Sequence, residues 1–171
     1  MLKASFKKYV LHFKQASGTS RGILKTKETF FIYLSDGKNE GIGECALFRG
    51  LSIEDRPDYE EKLKWTCDHI SKGQDFLVNE LLKFPSIQFG VEQAFLSLQS
   101  KTTFELFATP FVTENRPISI NGLIWMGDAG FMQEQIENKL KEGFTTLKLK
   151  IGAIDFEKEC ASCFHSTTIH R

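Results

Sequence analysis

The chain has no charge of either sign to spare. Lys plus Arg number 22 and Asp plus Glu number 22 over 171 residues. A dedicated nucleic-acid binder carries a basic excess, so the balance speaks against that class. No apolar run reaches the roughly 18 residues that a membrane helix needs, and no membrane partner is expected. The N-terminus, MLKASFKKYVLHFK, interrupts its apolar residues with lysines. A secretion signal needs an unbroken apolar stretch, so the reading places the chain in the cytoplasm.

Cysteine is scarce too. The four are Cys45, Cys67, Cys160 and Cys163. Without a secretion signal they are read as reduced thiols. The last two form C-x-x-C, with His165 and His170 close behind. A zinc finger needs about a dozen residues between its Cys and His pairs. Here a single residue separates Cys163 from His165. An incidental cluster is favoured over zinc, and no metal ligand is assigned. Hydrophobic residues at 41% and charged residues at 26% make a globular balance.

Residues 4–14 read as a strand and QASGTSRG, 15–22, as a loop. ILKTKETFFIYLSDG holds a β-rich core at 29–34 and a turn signal at Asp36-Gly37. NEGIGECALF, 39–48, reads as the returning strand of an antiparallel meander. Pro57 is assigned to the first turn of a helix whose stripe is Tyr59, Leu63, Cys67 and Ile70. FLVNELLKF, 76–84, predicts a short helix ending before Pro85. Val91, Ala94, Phe95 and Leu98 predict another over 87–100. A connector with two prolines follows, then a strand at 117–125. Asp128 caps a helix with the stripe Met132, Ile136 and Leu140, and Gly143 stops it. FTTLKLKIG is the next strand. Strand, helix, strand makes a βαβ unit, so these two strands are expected to be parallel.

Alternation along FTTLKLKIG puts Leu147, Leu149 and Ile151 on one face and Lys148 and Lys150 on the other. In an open sheet those lysines face water, and edge lysines guard against aggregation. In a closed parallel barrel the leucines pack on helices and the lysines point inward. The C-terminal strand ends of such barrels are where their active sites lie. A lysine beside another cation is suited to taking a proton from carbon. Both readings stand on spacing alone.

LKLKIG after a βα unit, behind a meander bearing GIGECALFRGLS, resembles the enolase superfamily. Within it, SGTSRGIL, GECALFRGLS, QFGVEQA and INGLIWMG resemble the o-succinylbenzoate synthase family, over about residues 4–158. The resemblance implies an α+β capping domain (antiparallel meander plus helices) at 1–104. The first βαβ of a truncated TIM-type (β/α) barrel then follows at 105–158. It implies an α-proton abstraction and dehydration of a cyclohexadiene carboxylate in menaquinone biosynthesis, assisted by Mg²⁺. Lys150 becomes the acid/base and Lys148 the neighbour that tunes it. Two capping loops, Ser17–Arg21 and Phe48–Leu51, help define the pocket. The implied substrate-binding candidates are Ser20, Arg21, Phe48, Arg49, Gly50 and Leu51. Arg21 and Arg49 are either partners of an anionic carboxylate substrate or ordinary surface arginines. Asn121–Trp125 either faces the barrel mouth or is a packed strand end. A dipeptide epimerase or a cycloisomerase of the same superfamily is the second reading. A non-catalytic fragment that binds a complementary chain is the third.

The resemblance also implies three acidic metal ligands from the third, fourth and fifth barrel strands, and an opposing lysine. A complete barrel takes about 250 residues, more than the whole of this chain. Glu40, Glu44 and Asp155 fall outside the matching positions, so the Mg²⁺ ligands are expected to be missing. AIDFEKE begins like the next barrel helix, but CASCFHSTTIHR is a poor helix former. The expectation is an atypical tail at 159–171, frameshifted near Glu159 or Cys160. An unclosed barrel would expose an edge open to self-association.

Overall fold

The computed structural model describes residues 1–19, 22–102, 104–150 and 155–157. It has two compact units. One joins Met1–His12 to Thr26–Arg116, and the other joins Phe13–Lys25 to the chain from Pro117 onward. The sequence reading sets its boundary at 104/105. Phe104 and Leu106 line a groove with Phe31 and Ile42.

A three-stranded sheet has the order β1 (Lys3–Thr19), β2 (Gly22–Ser35), β3 (Glu40–Cys45), with the stretch of β1 from Phe13 and of β2 up to Lys25 assigned to the second unit. The expected loop at 15–22 is mostly strand: backbone pairing carries β1 through Thr19 and resumes β2 at Gly22. Small polar composition marks a loop locally, but pairing with a neighbouring strand overrides it. The turn at 36–38 is as read. Asp36 accepts the backbone N–H groups of Lys38 (2.7 Å) and Asn39 (2.8 Å), and Gly37 sits at φ 95°. β2 and β3 run antiparallel, pairing Phe30 with Cys45, Ile32 with Gly43 and Leu34 with Gly41.

That register sets large side chains on β2 against small ones on β3. The space above β3 is taken by α3 (Pro85–Gln99). A Cβ on Gly43 would meet the Gly90 carbonyl, and one on Gly41 the Ala94 carbonyl. Glycine is therefore required here by a close helix–sheet approach. α1 (Tyr59–Asp68) and α2 (Gln74–Glu80) complete the core, with Tyr59, Leu63, Leu77, Ile87 and Val91 buried against Phe30, Ile32 and Leu34. Pro57 lies one residue before the N-cap, Asp58, and not in the first turn. Pro85 opens α3 at its first turn, where its missing N–H costs nothing. The proline-bearing connector holds a short helix, α4 (Pro110–Thr113), that the composition did not indicate.

In the second unit β4 (Gly122–Ile124) and β5 (Leu147–Leu149) pair in parallel, joined by α5 (Ala129–Lys141). Asp128 caps α5 by accepting the Phe131 N–H at 2.9 Å. Gly143, at φ 90°, follows the C-cap. Both strands are shorter than the sequence reading. Residues 117–121 have no ladder partner among the described residues and stay exposed. Ile151 and the expected tail at 159–171 lie outside the described residues.

Candidate functional site

β5 shows which way its side chains go. Leu147 and Leu149 pack against a small core of Ile124, Met132 and Ile136. Lys148 and Lys150 therefore take the opposite face, away from α5. Lys148 is exposed and Lys150 half-buried. The backbone N–H of Lys150 donates to the Ile124 carbonyl at 3.1 Å, extending the ladder beyond β5. The Lys150 ammonium lies 3.7 Å from the centre of the Trp125 ring. Among the described residues no carboxylate pairs with either lysine.

Trp125 is fixed in turn from α5. Its N–H donates to the Gln135 side-chain oxygen at 3.0 Å, and its carbonyl accepts from the Gln135 amide at 3.1 Å. The sequence reading places Trp125 near this site but not Gln135. A lone glutamine on a helix carries no periodicity signal, and only the fold brings it to the strand end.

The capping loop is built differently. Ser52 accepts the Phe48 N–H through its hydroxyl (3.0 Å), and its own N–H donates to the Phe48 carbonyl (2.9 Å). Gly50 sits at φ 72° and donates its N–H to Asp55 at 2.6 Å. Arg49 donates through Nε to Glu28 (2.9 Å) and through its terminal nitrogen to Asp55 (2.8 Å). Glu28 also meets Lys8 at 3.3 Å. The Arg49 bond holds the Glu28 carboxyl below its ordinary value. The Gly50 N–H first, and then Arg49, does the same for Asp55. Arg49 is thus engaged by two carboxylates and braces the loop. Leu51 stays exposed at its apex, while Phe48 is half-buried beneath the Lys27 ammonium. Neither Glu28 nor Asp55 was legible as a partner of Arg49, because β2 and the loop meet only in the fold.

Behind the loop the buried Glu54 accepts the Ser86 N–H with both oxygens at 3.0 Å, satisfying the first turn of α3. Ser86 also shares a hydrogen bond with the Tyr59 hydroxyl at 2.6 Å. The loop that carries Arg49 is therefore tied to both α1 and α3. Two buried thiols, Cys45 and Cys67, are pushed up by burial, Cys67 to about 11. Both are core residues and not nucleophiles.

Ser20 and Arg21 lie outside the described residues. Lys148 and Lys150 belong to one compact unit and Phe48–Leu51 to the other. Among the described residues no three His, Cys, Asp or Glu side chains converge to hold a metal ion. Glu44 is committed to Thr29 (2.7 Å) and Lys27 (3.6 Å), and Asp155 accepts the Glu157 N–H at 3.1 Å. No helix among the described residues is long and apolar enough to cross a membrane.

The meander with its helices, followed by a parallel βαβ, is the arrangement of enolase-superfamily N-terminal halves. An enolase family member from Agrobacterium tumefaciens with homology to dipeptide epimerases superposes with a TM-score of 0.73 at 19% identity, over all of this chain and 52% of that one. An o-succinylbenzoate synthase from Thermosynechococcus elongatus gives 0.69 at 18%, over 98% and 48%. Likeness at this level shows the fold alone. The sequence is more particular. Residues 1–98 match the model of the MenC N-terminal domain, and the chain belongs to that family. It is 36% identical to the o-succinylbenzoate synthase of Desulfotalea psychrophila over 94% of this chain and 52% of the relative. The crystal structure of MenC from that organism superposes at 0.70 with 31% identity, over 94% and 51%. The chain spans about half the length of the relatives it matches.

Proposed function

We propose that this chain supplies the capping domain and the first βαβ of an o-succinylbenzoate synthase-like lyase of menaquinone biosynthesis. The observation that carries the proposal is the placement of Lys148 and Lys150. Leu147 and Leu149 pack toward α5, which supports Lys148 and Lys150 on the opposite face by strand alternation. In the proposed reaction Lys150 takes the proton α to the substrate carboxylate, and Lys148 adds positive charge beside the enediolate that forms. Hydroxide then leaves and the ring becomes aromatic. On the family resemblance, Ser20, Arg21, Phe48, Gly50 and Leu51 are assigned to substrate binding. Arg49 would have to release Glu28 or Asp55 to bind a carboxylate, so its assignment here is to hold the loop.

The Thermosynechococcus elongatus synthase is complexed with Mg in its active site. The described residues of this chain do not offer a matching donor set. We assign the Mg²⁺ ligands, the opposing lysine and the rest of the TIM barrel to the part of its relatives that this chain does not span. The same reading puts the protein in the cytoplasm, with a β4–β5 edge open to association. The dipeptide-epimerase reading shares the fold and the lysine pair, and the sequence match to a synthase favours dehydration over it.

The test is complementation. The 171-residue chain alone, given the cyclohexadiene carboxylate and Mg²⁺, should show no turnover. Co-expressed with the second half of the Desulfotalea psychrophila synthase, it should dehydrate that substrate. In the pair, Lys150→Ala should lower the rate by about 10²–10⁴-fold. An active pair that is indifferent to Lys150→Ala, or one that epimerises dipeptides in preference, would overturn the proposal.

A further inference from the structure

Catalytic lysines have to be held without being neutralised. Arg49 and Lys150 show the two ways of holding a cation. Arg49 is pinned by two carboxylates. Lys150 instead lies on an aromatic face, 3.7 Å from the Trp125 ring centre. A ring face attracts a cation through its quadrupole but offers no carboxylate, so the side chain is oriented while its positive charge stays available. The ring is not left to find its own place. Gln135 both donates to the Trp125 carbonyl and accepts from the Trp125 N–H, closing a two-bond clamp across ten residues of sequence. The same amide reaches the Phe131 carbonyl at 3.3 Å, tying the clamp into the first turn of α5. That turn is in turn fixed by Asp128.

We infer that Gln135 and Trp125 form a positioning device for Lys150: Gln135 on α5 sets the backbone of Trp125 at the end of β4, and the Trp125 ring sets the Lys150 ammonium at the end of β5. Neither residue is a catalytic group by this inference. Each acts through the next. The use of the device in catalysis rests on the acid/base reading of Lys150 given above, but the device itself is a matter of geometry and can be tested without turnover. A clamp on the backbone is an efficient way to aim an indole at a strand end. It fixes φ and ψ around Trp125, so only the two side-chain torsions remain to be set by packing. Lys150 is anchored at its other end by its N–H bond to the Ile124 carbonyl, the residue just before Trp125. Backbone and side chain of Lys150 therefore refer to adjacent residues, Ile124 at the end of β4 and Trp125 just after it.

The experiment is NMR on the intact 171-residue chain with ¹³C-labelled lysine. Protons held over an indole face are shifted upfield by the ring current. Two lysines should show upfield ε-CH₂ resonances, Lys62 over Trp65 at 3.6 Å and Lys150 over Trp125, and Lys150→Arg should remove only one set, which assigns it to Lys150. Trp125→Leu should return that set to the ordinary lysine position. Trp125→Phe, which keeps an aromatic face, should retain part of the shift. Gln135→Leu should collapse most of it with Trp125 still present. Methyl resonances of Ile124, Met132 and Ile136 report whether the second unit stays folded in each variant. Trp125→Phe, the mildest change, keeps the test decisive if Trp125→Leu disturbs them. A wild-type spectrum in which Lys150→Arg removes no upfield resonance, or a Lys150 shift that survives Gln135→Leu in a folded unit, would overturn the device. If instead the device behaves as stated but Lys150→Ala is harmless in the complemented pair, the positioning holds and the acid/base reading fails. The two failures are thus distinguishable.

Discussion

The two units carry their apolar cores on very different scales. In the first, fifteen buried side chains from β2, β3, three helices and the segments between them form one cluster, with Phe30, Leu63, Ile87 and Val91 at no measurable exposure. In the second, Ile124, Met132 and Ile136 are the buried cluster among the described residues, and Leu140, Leu147 and Leu149 are only partly covered. Burying apolar area is the dominant favourable term in folding. The first unit therefore has its own reason to fold. The second holds its residues with capping and clamping bonds as much as with a core, and the candidate lysines stand on this thinner support. The unit with the large core presents a loop braced by carboxylates, and the other presents Lys150 on an aromatic face.

The sharpest way to break the comparison is to remove one large side chain from each core. Phe30 packs on Tyr59 with ring centroids 5.3 Å apart and on Phe6 at 6.4 Å. Phe30→Ala should cost about 3–5 kcal/mol and lower the denaturant midpoint of the first unit in one cooperative step. Ile136→Ala should cost about 2 kcal/mol, because a partly covered core can close over the loss. Its effect should be confined to the second unit, seen as faster amide exchange along α5 with the exchange of α3 unchanged. Global unfolding by Ile136→Ala would show that the two units do not fold separately.

A smaller effect is expected at the cap of α5. Asp128→Ala removes the acceptor of the Phe131 N–H and should cost about 1 kcal/mol. Helical circular dichroism and exchange at 129–132 would check it. Asp128→Asn should lose much less, since an amide oxygen can still accept.

The sequence made this helix legible down to its ends. The residues that define it act through their neighbours: a capping side chain, a stripe at i, i+4, i+8, and a glycine one step past the C-cap. The same holds for the parallel βαβ, which follows from the order of elements, and for the opposite faces of Leu147 and Lys148, which follow from strand alternation. Local composition failed at 15–19, where small polar residues continue a strand because another strand pairs with them. It failed again at 117–121, where β-prone residues have no partner to pair with among the described residues. The site divides along the same line. Lys148, Lys150 and the 48–51 loop are short motifs and could be read. Glu28, Asp55, Glu54 and Gln135 act across 5 to 32 positions and have no pattern of their own, so only the folded chain brings them to their partners.

The smallest expected effect sharpens the contrast between paired and unpaired cations. Glu28 and Asp55 have their carboxyls held below ordinary values, by Arg49 and by the Gly50 N–H with Arg49 respectively. A carboxyl lowered in the folded state binds protons less readily there than in the unfolded chain. Its contribution is therefore complete above the unfolded carboxylate range, near pH 4, and is lost as pH falls through the lowered folded value. Both side chains are partly exposed, so the contribution is modest and screened by salt. Arg49→Gln should lower the melting temperature of the first unit slightly at pH 7. The gap from the wild type should shrink as pH falls below about 4, and it should narrow at pH 7 in high salt. Lys150→Gln, which breaks no ion pair among the described residues, should show no such pH- or salt-dependent gap over the same range. Equal acid sensitivity in the two variants would remove the distinction between a cation paired with carboxylates and one held on an aromatic face.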